Sequence, residues 1–263
     1  MKEDHKDHRD PVERPSDFQE LSCQQCINSA DLDFNFSMAF QPIVNVKDKS
    51  VFAHEALVRG PEGESATEVF SHVNPSNLYR FDQSCRVKAI KLAAALNVPG
   101  LLSINFMPNA VYKPELCIRT TLQAAETYGF PVEKILFEVT ESERITDLPH
   151  LRNIFRHYKE RGFTTAIDDF GAGYAGLNLL AQFNTDLIKL DIDLVQGIAT
   201  DPTRRAIARG IIQVCRELNI DVIAEGVEVR DDVQTLSDMG VELFQGFYFA
   251  RPGLESLPKI HNL

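Results

Sequence analysis

The chain has 263 residues, 44% of them hydrophobic, and a formal net charge of −11 at pH 7. So acidic a chain is not expected to bind nucleic-acid polymers through a basic surface. No apolar run approaches the ~20 residues of a membrane helix and the amino terminus has no apolar signal core, so we predict a cytoplasmic protein that does not bind membranes.

The first 33 residues are polar and rich in both signs of charge, which is typical of a flexible tail. We therefore predict a tail over residues 1–33 and a single domain over residues 34–263. Cys23 and Cys26 form a C-x-x-C motif in this tail. They could bind zinc together with upstream histidines, or act as a redox pair, but the lack of a second such motif favours an inert tail.

Short β-type runs alternate with longer helical stretches from Phe34 onward. The predicted strands are SMAFQPIVNV, VFAHEALV, LLSINF, ILFEVTE, TTAIDDF, DLIKLDI, DVIAEGV and LFQGFYFA. The clearest helical segments between them are DQSCRVKAIKLAAAL, PELCIRTTLQAAETYG and DPTRRAIARGIIQVCREL. In the last segment, helical spacing predicts one apolar face formed by Ile207, Ile211, Ile212 and Cys215.

Alternating strands and helices indicate a parallel α/β fold. The first two strands are separated only by the turn KDKS, which is too short for a parallel crossover, so they should pair antiparallel. We therefore predict a modified TIM (β/α)8 barrel with an antiparallel first strand, a fold that commonly takes about 250 residues. An open doubly wound sheet is the alternative, but the glycine-rich phosphate motif expected near its first strand is missing.

Polar residues collect late in the predicted strands. They are Glu55, Asn105, Glu138, Asp168, Asp169, Lys189, Glu225 and Gln245. A lone acid at a strand end is usually a solvated or capping residue, and a pair of aspartates before glycines is often only a turn. In a barrel, however, the carboxyl ends of the strands meet at one face, so these side chains together predict a single active-site mouth.

Five of these side chains are carboxylates, which would repel one another in a partly buried pocket. One lysine cannot neutralise them, whereas hard divalent cations could, and oxygen ligands suit Mg2+, Mn2+ or Ca2+ better than structural zinc. Two cations are compatible with this number of ligands and would suit phosphoryl chemistry. Neighbouring side chains point to opposite faces of a regular strand, so the strand must end or twist at Asp168 if Asp169 is also to face the mouth.

The same residues lie in blocks that resemble the EAL-domain family of cyclic-di-GMP phosphodiesterases. The EAL signature lies in HEALVRG, and the blocks QPIV, INF, FEVTES, IDDFGAGYAGL, IKLD, AEGVE and QGFYFARP match the family in its order. The segments INFMPNAVY and FDQSCR are most similar to EAL domains attached to BLUF blue-light sensors. The resemblance implies hydrolysis of cyclic di-GMP to linear 5′-pGpG with two divalent cations, Mg2+ or Mn2+, and Ca2+ is expected to bind and inhibit.

The resemblance also implies a role for each matching residue. The implied metal ligands are Glu55, Asn105, Glu138, Asp168, Asp169 and Glu225. Asp168 would bridge the two cations, and Lys189 would act with Glu55 and Glu225 in catalysis as a positioning and proton-transfer group. The implied substrate contacts are Gln41, Arg59, Asp191 and Gln245.

Glu141 lies three residues after Glu138, so its side chain should face away from the metal in a regular strand. The resemblance gives Glu141 a role in holding the glycine-rich loop after Asp169, in which Ala172 replaces the family's usual Thr. It also implies a homodimer. The alternative function is a catalytically inactive EAL domain that serves as a cyclic-di-GMP receptor or protein scaffold, but such members typically lose a ligand or the lysine, and this chain retains them.

Overall fold

The computed structural model of the chain describes residues 32–111, 113–140, 148–173, 176–183 and 185–263. Its strands are β1 (Ser37–Asn45), β2 (Ser50–Arg59), β3 (Leu101–Asn105), β4 (Ile135–Thr140), β5 (Thr164–Phe170), β6 (Leu187–Leu190), β7 (Asp221–Ala224), β8 (Leu243–Phe244) and β9 (Gly253–Leu254). Its α-helices are α1 (Ala66–Phe70), α2 (Leu78–Ala95), α3 (Pro114–Tyr128), α4 (Leu148–Lys159), α5 (Gly176–Gln182), α6 (Ile192–Val195), α7 (Pro202–Leu218) and α8 (Arg230–Asp238).

Eight strands close into a barrel. Strands β2 to β8 pair parallel in chain order, and β1 pairs antiparallel with both β2 and β8. The chain reverses after β1 because the Asn45 side chain accepts hydrogen bonds from the Lys47 and Asp48 N–H groups, at 2.9 and 3.0 Å, and Lys49 adopts a φ of 52°. The predicted barrel with an antiparallel first strand is therefore confirmed, and the doubly wound alternative is wrong.

A layer of small and aliphatic side chains fills the barrel interior. Its buried members are Ile43, Ala53, Leu136, Ala166, Leu187, Ile223 and Leu243. On six strands, a polar candidate residue follows two positions later and so points to the same side of the sheet. Ala53 precedes Glu55 in this way, and Leu187 precedes Lys189. The apolar layer is thus the floor on which the polar mouth rests.

The helices cover the outside of the barrel and bury a second, larger apolar cluster against the strands. The buried residues of α7 are Ala208, Ile211, Ile212 and Cys215. The predicted apolar face of this helix was wrong at Ile207, which is 47% exposed because it lies at the solvent-facing edge of the helix. The predicted eighth strand was too long, because β8 ends at Phe244 and the N–H groups of Phe249 and Ala250 both donate to the Gly246 carbonyl in a tight turn.

The predicted tail lies outside the described residues except for its last two positions, so it stays a prediction, as do the roles considered for Cys23 and Cys26. Phe34 already packs on the domain, where its ring stacks on His72 with centroids 5.2 Å apart. Within the described ranges, every helix is too short or too polar to span a bilayer.

Gly246 tests how closely the chain packs directly after Gln245, beyond the end of β8. A Cβ at this position would lie 2.1 Å from the Val227 carbonyl oxygen, so we expect Gly246→Ala to lower the free energy of unfolding by about 1–3 kcal/mol. Gly210→Ala is the matched control, because nothing lies within 4 Å of the added atom in the middle of α7, and it should stabilise by about 0.5–1 kcal/mol. Urea denaturation followed by circular dichroism measures both, and equal stability of Gly246→Ala and wild type would contradict the expectation.

Candidate active site

The Lys189 side chain lies at the centre of the mouth and is fully buried. Its Nζ lies 3.2 Å from a Glu55 oxygen, 3.0 Å from Glu138, 3.2 Å from Asp168 and 2.7 Å from Glu225. Burial alone would lower the pKa of Lys189, but the surrounding carboxylates, Asp168 first, hold it well above its ordinary value. Lys189 is therefore a permanent positive charge to which residues from four other parts of the barrel converge.

One ammonium group does not neutralise the acids around it. Burial raises the pKa of Glu138 to about 8, because lost hydration outweighs the attraction of Lys189. Burial and the neighbouring Asp168 raise the pKa of Asp169 to about 6 and that of Glu225 well above its usual range. The single charge of Lys189 is thus smaller than the combined negative charge that the ionised acids of the mouth would carry.

The acids form two overlapping groups with the oxygen chemistry that a hard divalent cation requires. Glu55, Glu138 and Asp168 form one group, and Asp168, Asp169 and Glu225 form the other, with ligand oxygens within 4.8 Å of one another in each. Asp168 belongs to both. The buried Glu138 Oε1 atom has no hydrogen-bond partner of normal geometry within the described part of the chain, so it is available to a ligand. The donor set therefore fits two cations that share one carboxylate.

The backbone at the end of β5 explains how adjacent acids serve one mouth. The pairing of β5 with β6 shifts register between Ile167 and Phe170, and Asp169 adopts a left-handed φ of 52°. The Asp169 N–H donates to the Asp168 carboxylate at 2.9 Å. The predicted twist is present, but its left-handed residue is Asp169 itself, followed by Gly171 at a φ of 103°.

Amide side chains hold Glu55 from two sides. Asn105 donates to one of its oxygens at 2.7 Å, and Gln245 donates to the other, also at 2.7 Å. Gln245 further donates to Gln41 at 3.2 Å, and Gln41 donates to the Ala250 carbonyl at 3.1 Å. The two glutamines predicted to contact substrate are thus part of a buried chain that orients Glu55.

The remaining predicted residues make other contacts or lie outside the described chain. Arg59 donates to the carbonyl of its neighbour Val58 at 2.7 Å. Asp191 caps α6 by accepting the Asp193 N–H at 2.8 Å, so part of its role is structural. Glu141 lies outside the described residues, and its role in the loop stays a prediction.

The sequence reasoning missed a buried charged group on the outside of the barrel, beside the ends of β3 and β4. Asp82 and Arg86 form an ion pair on the buried side of α2, and Arg86 donates to the Tyr158 hydroxyl on α4. The only sequence signal was a pair of opposite charges four residues apart. Such pairs are ordinary on exposed helices, so the spacing alone did not indicate burial.

With this geometry in place, comparison with known proteins identifies the family. Residues 27–252 match the EAL domain family. This chain belongs to the EAL domain family. Several solved structures resemble it, including the following two. A standalone versatile EAL protein from Vibrio cholerae O395, in its c-di-GMP bound form, is 55% identical with a TM-score of 0.85, covering 88% of this chain and 98% of that chain. BlrP1 of Klebsiella pneumoniae, as a manganese and cyclic-diGMP complex, is 37% identical with a TM-score of 0.81, covering 87% and 58%.

Two curated relatives of this EAL domain have names that point to different roles. The blue light- and temperature-regulated antirepressor BluF of Escherichia coli K12 is 30% identical over 246 residues, which cover 93% of this chain and 60% of BluF. The cyclic di-GMP phosphodiesterase NbdA of Pseudomonas aeruginosa is 27% identical over 243 residues, which cover 89% and 31%. This chain therefore spans less than two thirds of the length of either relative.

The excess of negative charge predicts how stability responds to pH and metal. Glu138 and Asp169 have folded pKa values of about 8 and about 6, above the roughly 4 of unfolded carboxyls, so the metal-free EAL domain should lose stability as pH rises from about 4 to about 8. A divalent cation should reverse this loss, by about 2.7 kcal/mol when its concentration is 100 times its Kd. Since binding requires ionised carboxylates, the gain should be larger at about pH 8 than at about pH 6.

Thermal unfolding in Mg2+ and in EDTA at both pH values measures this effect. Asp168→Asn removes one charge from the carboxylate that both ligand groups share, so its Tm should respond less to Mg2+ than that of the wild type. Identical Tm values with and without Mg2+ at high pH would show that the acids do not bind the cation.

Proposed function

We propose that the chain hydrolyses cyclic di-GMP to linear 5′-pGpG with the help of two divalent cations, and that residues 34–263 form the catalytic domain. The observation that carries the proposal is the pair of oxygen-ligand groups that share Asp168 above the buried Lys189. The c-di-GMP bound form of the Vibrio relative, the manganese complex of BlrP1 and the name of NbdA support the substrate and the reaction.

The proposed metal ligands are oxygen donors at the mouth. They are Glu55, Asn105, Glu138, Asp168, Asp169 and Glu225. A bound pair of Mg2+ or Mn2+ ions supplies positive charge for the phosphodiester and activates water. Ca2+ should bind the same oxygens and inhibit, because it accepts longer and more variable ligand distances than Mg2+.

Lys189 has two roles in this proposal. Its raised pKa keeps it protonated, so it acts as a hydrogen-bond donor and a fixed charge rather than as a free base. Its Nζ is 2.7 Å from the nearest Glu225 oxygen, so the ammonium group also holds the Glu225 carboxylate in place. We propose that Lys189 orients the attacking water and that Glu225 and Glu55 complete the catalytic set.

Four residues are proposed to contact the substrate. Arg59 would hold a phosphate through its planar guanidinium group, and Asp191 would contact the nucleotide. Gln41 and Gln245 would act on the substrate and on Glu55 together, because their hydrogen-bonded chain ends at that carboxylate. We further propose that Glu141 stabilises the loop after Asp169, that the protein works as a homodimer and that its place is the cytoplasm.

A second candidate function is nucleotide binding or protein regulation without hydrolysis. The observation in its favour is the 30% identity with BluF, which is named an antirepressor. The residues of the chain argue against a function without hydrolysis, since every proposed metal ligand and Lys189 are present. A regulator that only bound nucleotide would not require the charged group around Lys189.

Product analysis separates the two functions. With Mn2+, wild type should convert cyclic di-GMP to pGpG, and Lys189→Met should lower kcat by about 10²–10⁴-fold by removing the positioned cation. Glu55→Ala should leave no measurable turnover, because it removes both a ligand and the acceptor of three side-chain hydrogen bonds. The control is Glu242→Gln, which changes an exposed acid paired with Lys47 before β8 and should turn over like wild type.

The readout is chromatographic separation of cyclic di-GMP, pGpG and GMP after incubation. Tight binding of cyclic di-GMP by the wild type with no pGpG at any Mn2+ concentration would favour the receptor function. Full turnover by Glu55→Ala would show that the ligand assignment is wrong.

A further inference from the structure

A charged pair is buried on the outside of the barrel, next to the segments that follow β3 and end β4. Asp82 and Arg86 lie one turn apart on α2, with Oδ2 and NH2 atoms 2.6 Å apart, and their side chains are 1% and 0% exposed. Removing both charges from water is costly, and apolar residues of similar volume often stabilise a protein as well or better. The pair therefore calls for an explanation other than stability.

Aromatic rings and one hydroxyl surround the guanidinium group. Arg86 NH1 donates to the Tyr158 hydroxyl at 3.0 Å. The Arg86 Cζ atom lies 5.3 Å from the centroid of the Phe137 ring and 5.6 Å from that of Phe106. These contacts are within the range of cation–π attraction, and they fix the two rings against a group that cannot change its charge.

One ring lies in β4 and the other directly follows β3, and both strands carry proposed metal ligands. Phe106 directly follows Asn105, and Phe137 directly precedes Glu138. Asn105 and Glu138 are register partners in β3 and β4, and the Phe106 N–H donates to the Glu138 carbonyl at 3.0 Å. Because strand side chains alternate, rings that pack outward fix the direction in which the adjacent ligands point inward.

Asp82 holds the same segment through the backbone. Its Oδ1 atom accepts the Met107 N–H at 3.0 Å, two residues after Asn105. Gln83 donates to the other oxygen at 3.3 Å, next to the contact with Arg86. The chain that leaves β3 is thus fastened to α2 by a buried acceptor at the point where it leaves the mouth.

We infer that Asp82 and Arg86 are positioning residues that set Asn105 and Glu138 in the geometry needed to bind a divalent cation. The inference rests on the proposed metal-dependent function. Groups that orient ligands from outside typically change metal affinity by about 10–100-fold when altered. Asp82 acts through the Met107 backbone, and Arg86 acts through the two rings.

Two double variants test the role of the acceptor. Asp82→Leu with Arg86→Met removes the ion pair and the acceptor, whereas Asp82→Asn with Arg86→Met removes the pair but keeps an oxygen for the Met107 N–H. Calorimetric titration of the full chain with Mn2+ should show an affinity about 10-fold or more below wild type for the first variant. The second should lose several-fold less. Ile212→Ala, a core truncation on α7, should lower Tm without changing Mn2+ affinity.

Crystal structures of both double variants provide a readout that is independent of activity. We expect the Asn105 amide to leave its 2.7 Å contact with Glu55 in the leucine variant and to keep it in the asparagine variant. Unchanged Mn2+ affinity and an unchanged contact in the leucine variant would overturn the inference. If the wild type binds no Mn2+ or produces no pGpG, the proposed function fails, and the two crystal structures still decide whether the pair positions Asn105.

Tyr158→Phe covers the case in which the leucine variant does not fold. This change removes only the hydroxyl that Arg86 contacts, so the protein should fold. Its Mn2+ affinity should fall, by less than in a variant without the pair. A Tyr158→Phe protein with a lower Tm and wild-type Mn2+ affinity would show that the buried group is structural only.

Discussion

The contact of the Lys189 ammonium with four carboxylates is the interaction on which the mouth of this barrel depends. The acids come from β2, β4, β5 and the end of β7. They reach one nitrogen because the closed barrel brings the carboxyl ends of these strands to the same face as Lys189 on β6. Without this cation, like charges would face each other across a few ångströms in a buried space, where repulsion is weakly screened. Lys189 therefore reduces the repulsion between the carboxylates without neutralising their combined charge.

The remaining negative charge separates what stabilises the fold from what serves a ligand. The apolar layer beneath the mouth, which includes Leu136 and Ile223, and the larger cluster under the helices provide the packing that holds the barrel. The mouth instead contains features that are unfavourable for folding, namely raised carboxyl pKa values and a left-handed backbone conformation at Asp169. Unfavourable charge and backbone geometry of this kind are concentrated at binding and catalytic sites, where a bound ligand can compensate for them.

The layers around the site suggest how EAL domains with different roles can share one fold. In the proposed mechanism the acids at the mouth bind the cations, while the glutamine chain and the Asp82–Arg86 group hold those acids in place. A chain could therefore keep the barrel but lose either the acids of the mouth or the groups that hold them. This distinction is relevant here because the relatives include both a phosphodiesterase and an antirepressor by name.

Much of this architecture could be predicted from local pattern. Strand and helix periodicity, together with the four-residue turn after Asn45, was enough to predict a barrel with an antiparallel first strand. The polar residues late in the strands could be assigned to one face, because the carboxyl ends of parallel strands all lie at the same end of a barrel. The family motifs added proposed roles, residue by residue, to positions that the pattern had already selected.

Other features depend on contacts between residues far apart in the chain, and only the tertiary structure decided them. Gln245 holds Glu55 across 190 positions of sequence and donates to Gln41 across 204. Ile207 faces solvent despite its helical spacing, and the charges of Asp82 and Arg86 are buried. Periodicity determines which side of an element a residue occupies, whereas the packing of the whole chain determines what covers that side. The sequence by itself determined the barrel and the residues that form its polar mouth. The tertiary structure decided which of those side chains are in contact and which charges are buried away from water.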